Sequence, residues 1–292
     1  MAIMQFKQFE QIFNETIFEK SKADLLEKIA NNPSRYIGLF RPTKPKAKIL
    51  QNLLQSHEIR FGDAFEHVIE EYLKLNDCQI LQKRFTLQNG DVLDIDQCFR
   101  KDNKVYFIEQ KIRDDHDSTK KRGQIQNFEK KLDLMLSKYK ENELVGIFYF
   151  IDPDLVKNKN FYTDELIKMT NDYNVETQIF YGKYLFDHLG YSDIWNEILE
   201  YLECWRNDIP DLPEINFDLD SKSTFEEIKD LKPHVFRKLL ENENIFNEIV
   251  LTLFPKRTTL KLLRNYFSSK NETIYKTLTS YLERAINSEI KV

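Results

Sequence analysis

The chain has 292 residues and a formal net charge of −5. This length allows one large domain with an appendage or two smaller domains. The charge excludes a uniformly basic nucleic-acid binder, although a locally basic cleft on an acidic body still steers a polyanion. The phosphate-binding patterns Gly-x-x-x-x-Gly-Lys and Gly-x-Gly-x-x-Gly are both missing among only seven glycines, so neither ATP nor a dinucleotide is indicated.

The cysteines and the first residues of the chain indicate the compartment. Cys78, Cys98 and Cys204 are odd in number and far apart, and no Cys/His spacing typical of zinc occurs. The first seven residues contain no basic stretch followed by an apolar core, and no apolar run reaches the length of a membrane span. We therefore expect a soluble, cytoplasmic protein that has no membrane partner.

Residues 1–54 are predicted to form N-terminal helices followed by a basic arm. Apolar residues recur there at helical spacing: Phe6, Phe9, Phe13, Ile17 and Phe18. Two prolines prevent the middle of segment 40–48 from being helical. The segment is interpreted either as a solvated linker or as an arm that tracks phosphates through Arg41, Lys44, Lys46 and Lys48.

Residues 55–206 alternate between helical and strand patterns, which predicts a three-layer α/β core with a mixed central sheet. A helix cap is expected at Ser118 or Thr119, and the apolar run 144–151 is typical of a buried central strand. The predicted elements are a helix over 62–75, a strand over 78–87, a hairpin over 94–111, a helix after residue 118, strands over 144–151 and 175–181, and helices over 163–173 and up to 206.

Residues 207–292 are predicted to form a helical C-terminal region. Pro210 and Pro213 mark its boundary, and apolar residues recur at helical spacing beyond them. Arg257, Lys261 and Arg264 would share one helical face. That face is interpreted either as solvated or as a stripe that positions a helix on phosphates.

The hairpin is the most informative segment. With Asp102 and Asn103 as its two-residue tip, antiparallel pairing sets Asp96 opposite Glu109, and Asp94 opposite Lys111. Cross-strand salt bridges alone would explain these pairs. However, they would leave three acids on one strand face with a single lysine, which is unfavourable unless a cation is present.

This grouping suits metal-assisted hydrolysis of a phosphodiester. Carboxylates hold Mg²⁺, which keeps several waters and takes a substrate phosphate as a further ligand. The cation acidifies a bound water, and a neighbouring lysine orients that water or stabilises developing charge.

The pattern resembles the PD-(D/E)xK nuclease superfamily and, within it, the type II restriction endonucleases. The resemblance implies a restriction-endonuclease-like core, with Asp96, Glu109 and Lys111 as catalytic residues and Glu66, from an upstream helix, as an accessory acid. It implies Mg²⁺, replaceable by Mn²⁺, bound by Asp96, Glu109 and Glu66. No proline precedes Asp94 or Asp96, so Asp94 stays open as an alternative ligand.

The resemblance also implies the partners. Double-stranded DNA is the expected substrate, a homodimer would place two active sites about a twofold axis, and a cognate DNA methyltransferase would act in the same system without a stable complex. The residues expected to contact DNA lie in the polar loop and helix start over 113–124: Arg113, His116, Lys120, Lys121, Arg122 and Gln124.

Two other functions share parts of this pattern. A structure-selective or repair nuclease, such as a junction resolvase, would use the same catalytic residues, although the N- and C-terminal extensions argue mildly against it. A catalytically inactive DNA-binding module is the second alternative. The intact set of Asp96, Glu109 and Lys111 argues against that alternative.

Overall fold

The structure is a computed structural model that describes residues 2–87 and 90–287. Residue 1 of the predicted N-terminal region and residues 288–292 of the predicted C-terminal region lie outside the described residues. The chain forms two compact units, each assembled from two separate stretches. Unit 1 contains Met1–Phe13 and Phe61–Ile209, and unit 2 contains Asn14–Arg60 and Pro210–Val292.

Unit 1 is built on a mixed five-stranded sheet with the strand order β1-β4-β5-β6-β7, as the alternating pattern predicted. β1, β4 and β5 pair antiparallel, whereas β5, β6 and β7 pair parallel. β6 is buried along its whole length, which explains its unbroken apolar sequence. The strands are β1 Gln79–Ile80, β4 Gln97–Lys101, β5 Lys104–Lys111, β6 Leu144–Phe150 and β7 Glu176–Tyr181, and a separate two-stranded sheet contains β2 Arg84–Thr86 and β3 Val92–Asp94.

Helices cover both faces of this sheet. On one face the helices Ser118–Leu136 and Lys159–Tyr173 pack their apolar stripes against the strands and share a core with them. On the other face Tyr149 of β6 packs edge-on against Phe186, and the Gln97 side chain of β4 donates a hydrogen bond to the Glu66 carbonyl. The helices that lie wholly or partly in unit 1 are α1 Phe6–Phe18, α4 Pro45–Leu75, α5 Ser118–Leu136, α6 Lys159–Tyr173, α7 Tyr184–Leu189 and α8 Ser192–Asp208. The predicted three-layer core is confirmed.

Two helix starts differ from the sequence-based expectation. α4 begins at Pro45 rather than at residue 62, because a proline in the first turn has no helical hydrogen bond to lose. α5 is capped by Asp117, whose carboxylate accepts hydrogen bonds from the Thr119 and Lys120 amides, and not by Ser118 or Thr119.

The predicted continuous strand over 78–87 is wrong. Its two halves lie in different sheets, because Ile80 pairs with Phe99 whereas Arg84 pairs with Asp94. Three residues separate these pairs on the first strand and four separate them on the second. The extra residue is the signature of a β-bulge, which bends a strand and re-aims a side chain. We call residues 95–98 the bulge segment.

Unit 2 is helical, as predicted for the C-terminal region, and has its own apolar core. Arg257 does not belong to an exposed basic stripe. It directly precedes the helix Thr258–Ser268 with a positive φ of 56°, is 9% exposed and donates a hydrogen bond to the Ile286 carbonyl. Besides the parts of α1 and α4 that lie in this unit, its helices are α2 Ser21–Asn31, α3 Ser34–Ile37, α9 Ser221–Ile228, α10 Pro233–Glu241, α11 Glu243–Ile245, α12 Leu251–Leu253, α13 Thr258–Ser268 and α14 Thr273–Asn287, with a π-helical turn at Phe246–Val250. Throughout residues 2–87 and 90–287, no helix is both long and apolar enough to cross a membrane.

Candidate active site

The hairpin pairs in the predicted register, from Lys101 with Lys104 to Gln97 with Ile108. The ammonium of Lys111 at the end of β5 lies 2.7 Å from Glu109 Oε1 and 3.4 Å from Asp96 Oδ2. The backbone N–H of Gln110 donates a 2.7 Å hydrogen bond to the same Asp96 oxygen. The structure therefore brings together the three side chains that the sequence pattern singled out.

Asp94 does not join them. It ends β3, pairs with Arg84 in the two-stranded sheet and lies 3.8 Å from that guanidinium, with most of its side chain exposed. The expected pairing of Asp94 with Lys111 is wrong because the bulge segment separates the two ladders. Asp96, which lies inside the bulge segment, is the aspartate that reaches the lysine.

Sequence reasoning missed Lys131. This lysine of α5 is buried, its ammonium forms an ion pair with Glu109 Oε2, and it lies 3.5 Å from Asp96 Oδ1. The signal was present, since Lys131 lies three residues after Phe128 and four before Met135, on the apolar stripe of the helix. A lysine on such a stripe needs a buried partner.

The Lys111 side chain remains an ammonium. Burial by itself lowers the pKa of Lys111, but the carboxylates of Glu109 and Asp96 outweigh burial and raise it above its usual value. Lys111 is therefore suited to hold a water or to stabilise negative charge, and it is a poor general base.

Glu66 lies on α4 within the electrostatic reach of Asp96 and Lys111. Burial, together with the negative charges of Asp96 and Asp63, raises the pKa of Glu66 to about 8. At neutral pH and without a cation, Glu66 is thus largely protonated. A buried acid with a raised pKa is a common feature of functional sites.

The residues expected to contact DNA cluster around the start of α5. Lys120 and Arg122 are exposed, whereas Lys121 lies over the Phe161 ring at 4.4 Å. The Gln124 carbonyl oxygen accepts a 2.6 Å hydrogen bond from the Tyr162 hydroxyl. Arg113 is half-buried in the loop that leads from β5 to α5.

That loop is fixed by a buried acid. Asp114 is 0% exposed and accepts hydrogen bonds from the Asn158 backbone and side chain and from the Tyr181 hydroxyl. The Asn158 side chain also donates to the His116 carbonyl. Burial lowers the pKa of His116, and Lys120 lowers it further. The His116 imidazole is therefore mainly neutral at neutral pH.

The donor set fits Mg²⁺. Within the described parts of the chain, no group of three or more His, Cys, Asp or Glu side chains is arranged to hold a metal ion. Mg²⁺ does not need such a cage, because it typically binds one or two carboxylates, several waters and the substrate phosphate. Asp96 and Glu109 supply that pair of carboxylates. Asp96 Oδ1 and both Glu109 oxygens each keep a second lone pair beyond their contact with a lysine, whereas Asp96 Oδ2 also accepts a hydrogen bond from the Gln110 backbone.

The mixed five-stranded sheet and its helical layers are those of a restriction-endonuclease-like fold. Comparison with protein families agrees. The family model described as "Type II restriction endonuclease, HinfI" matches residues 6–89 and 78–206. The chain belongs to this family of type II restriction endonucleases. No curated protein and no solved structure matches the chain.

Proposed function

We propose that the chain is a Mg²⁺-dependent endonuclease that hydrolyses phosphodiester bonds in double-stranded DNA at a short specific sequence. The observation that carries this proposal is that Lys111 contacts both Asp96 and Glu109 at the end of the sheet. The chain that contains this cluster belongs to the type II restriction endonuclease family. Asp96 and Glu109 would hold Mg²⁺ or Mn²⁺, with Glu66 as an accessory acid.

The charges of the site residues suggest a separate role for the metal ion and for the lysine. When bound, the metal ion supplies Lewis acidity toward the phosphate and acidifies the attacking water. Lys111, kept as an ammonium by Glu109 and Asp96, orients that water and stabilises the charge that develops on the phosphate oxygens. The hydrogen bond from the Gln110 backbone N–H to Asp96 Oδ2 keeps the Asp96 carboxylate in one orientation.

Lys131 is assigned a positioning role. Its ammonium contacts the carboxylate of Glu109 on the oxygen that Lys111 does not contact. It also approaches the Asp96 oxygen that the Gln110 amide leaves free. Two ammonium groups on two carboxylates keep the acids close together despite their mutual repulsion.

DNA is proposed to approach over the loop and helix start that follow β5. Lys120, Lys121 and Arg122 would contact phosphates together with the N-terminal amides of α5. Arg113, His116 and Gln124 are proposed to contact DNA as well. Cutting both strands of a symmetric site favours a homodimer. A cognate DNA methyltransferase would protect the same site without a stable complex.

Incubation of the purified protein with Mg²⁺ and long duplex DNA tests the proposal. Discrete fragments with Mg²⁺ or Mn²⁺ and no cutting in excess chelator are expected. Ca²⁺ should not support cutting, since it binds similar oxygens but is less strict in geometry and a poorer activator of water. Cutting in chelator would contradict the metal chemistry. Preference for branched substrates would instead indicate a junction resolvase, and no cutting under any condition an inactive DNA-binding module.

A further inference from the structure

Leu39 and Phe40 are the most exposed large apolar side chains of the described residues, at 91% and 100%. They lie in unit 2 between α3 and α4, in the segment that we call the 38–44 loop. Two adjacent apolar side chains that are almost fully in water contribute nothing to the core of the unit. Exposed apolar surface of this kind marks a place of interaction.

The loop that carries them has a defined shape. A Cβ atom on Gly38 would lie 2.4 Å from the Ser34 carbonyl oxygen, so this position accepts only glycine without a backbone shift. The Arg41 Nε donates a 3.3 Å hydrogen bond to the same oxygen. The rings of Pro42 and Pro45 restrict the backbone further. The tip of this loop, Leu39 and Phe40, is therefore partly ordered before it binds a partner. This lowers the entropy that is lost on binding.

The surroundings of the tip are cationic. Between positions 28 and 57 the sequence has no Asp or Glu, although the whole chain has 48 acidic and 43 basic residues. Lys44 and Lys46, beside the tip, are exposed. The basic residues of this stretch are Lys28, Arg35, Arg41, Lys44, Lys46 and Lys48. An apolar tip within such a stretch suits a polyanion that also offers apolar faces.

Duplex DNA has both properties, since its backbone is anionic and the faces of its bases are apolar. A second copy of the chain suits the tip less well. A twofold contact centred here would set one cationic stretch against another, and like charges repel. DNA-bending proteins combine apolar side chains that enter a base step with cations that contact the flanking phosphates.

We propose that the 38–44 loop inserts Phe40, supported by Leu39, between base pairs of duplex DNA, while Arg41, Lys44 and Lys46 contact phosphates. This inference rests on the proposed function, because it supposes that DNA is the substrate. It assigns unit 2 a direct part in binding and distorting the duplex, separate from the residues that hydrolyse it.

The test compares the double variant Leu39→Ala/Phe40→Ala with Leu219→Ala, a control in the same unit whose leucine is 61% exposed outside the basic stretch. The probes are short duplexes in which successive adenines are replaced by 2-aminopurine, whose fluorescence rises when it unstacks. Binding is followed by anisotropy in excess chelator, so that no bond is cut. Because all three side chains are exposed, both variants should melt as the wild type does.

Wild type and Leu219→Ala should bind and raise the fluorescence of at least one duplex. The double variant should lose that rise and bind about tenfold more weakly, in line with the usual loss when an aromatic that contacts a base is removed. Lys44→Gln/Lys46→Gln should keep the rise and flatten the salt dependence by about two log-log units.

Equal affinity and equal fluorescence for the double variant and the wild type would overturn this inference alone, if the wild type still cuts DNA with Mg²⁺. A wild type that neither binds nor cuts duplex DNA would overturn the proposed function and this inference with it. Loss of binding to anionic phospholipid vesicles, or of self-association, in the double variant with unchanged DNA binding would also overturn the inference. Those results would assign the loop to a lipid surface or to a second copy.

Discussion

Lys131 on α5 and Glu109 on β5 form an ion pair in which each side chain is at most 5% exposed. Lys111 contacts the other oxygen of the same carboxylate. The acid that is proposed to hold the metal ion is thus held between two ammonium groups, one from its own strand and one from the helix that covers the sheet.

The first prediction concerns Lys131→Met, which removes the charge and keeps much of the side-chain volume. Loss of one partner of a buried ion pair costs about 3–5 kcal/mol, so the free energy of unfolding in chelator should fall by an amount of that order. Mg²⁺ should then raise the melting temperature more than it does in the wild type, because the cation replaces the missing charge.

Lys131→Arg serves as the conservative control and should recover part of the lost stability. A Lys131→Met variant as stable as the wild type, with an unchanged response to Mg²⁺, would contradict a positioning role for this side chain.

The second prediction separates the proposed catalytic residues from Asp94, their neighbour in sequence. Asp96→Ala, Glu109→Ala and Lys111→Ala should each lower the cleavage rate by on the order of 10³-fold or more, because each removes a group that is proposed to act on the reacting phosphate or to hold the metal ion. Glu66→Ala should have a milder effect. Asp94→Ala is the matched control, since Asp94 pairs with Arg84 instead.

Gel assays of fragment yield against time measure these rates, and circular dichroism checks the fold. If Asp94→Ala were inactive and Asp96→Ala active, the assignment of the metal ligand to Asp96 would be wrong while the site itself survived.

The third prediction concerns pH. The pKa of Glu66 lies near 8 in the folded protein and near 4.5 in the unfolded chain, mainly because the carboxyl is buried. The folded state therefore binds this proton more tightly, and stability should fall as pH rises from about 4.5 to about 8. Glu66→Gln should match the wild type at low pH and exceed it in stability above pH 8.

Denaturant midpoints measured across this pH range in chelator provide the comparison. If the stability of the wild type and of Glu66→Gln changed with pH in the same way, the pKa of Glu66 would not be raised in the folded protein.

The fourth prediction separates DNA binding from hydrolysis. Replacing Lys120, Lys121 and Arg122 by Gln should weaken binding to specific and unrelated duplexes alike, because phosphate contacts position DNA without reading its bases. The salt dependence should become flatter by about one log-log unit for each phosphate that is no longer neutralised. Affinity measured against salt concentration for wild type and variant gives the slopes, and equal slopes would show that the three side chains face bulk solvent.

The sequence predicted the hairpin because a two-residue tip fixes the pairing on both sides of it. It predicted β6 because a strand buried on both faces needs an unbroken apolar run. The bulge segment was not predictable, since residues 94–98 contain neither Gly nor Pro to mark an extra residue. The predicted register therefore set Asp94 opposite Lys111, whereas the structure brings Asp96 to this lysine.

Lys131 was missed for a different reason. Lysines are rarely buried, so a lysine within a helix is normally assigned to the solvent side. Only its place between Phe128 and Met135 on the stripe contradicted that assignment. A buried charge can be predicted when its partner of opposite charge is known. The partner of Lys131 is Glu109, which lies on a strand 22 residues earlier in the chain.

Both compact units are discontinuous in the chain, and this sets an order of assembly during synthesis. Unit 1 is complete once residue 209 has left the ribosome, whereas residues 14–60 must wait for the segment that begins at residue 210. The sheet with its cluster of acids and lysines can thus form while the apolar side chains of α2 still lack their partners. Domains fold as units during translation, and apolar surface exposed in the interval is prone to aggregation. The rate at which residues 210–292 are synthesised therefore determines how long the apolar side chains of α2 stay exposed to aggregation.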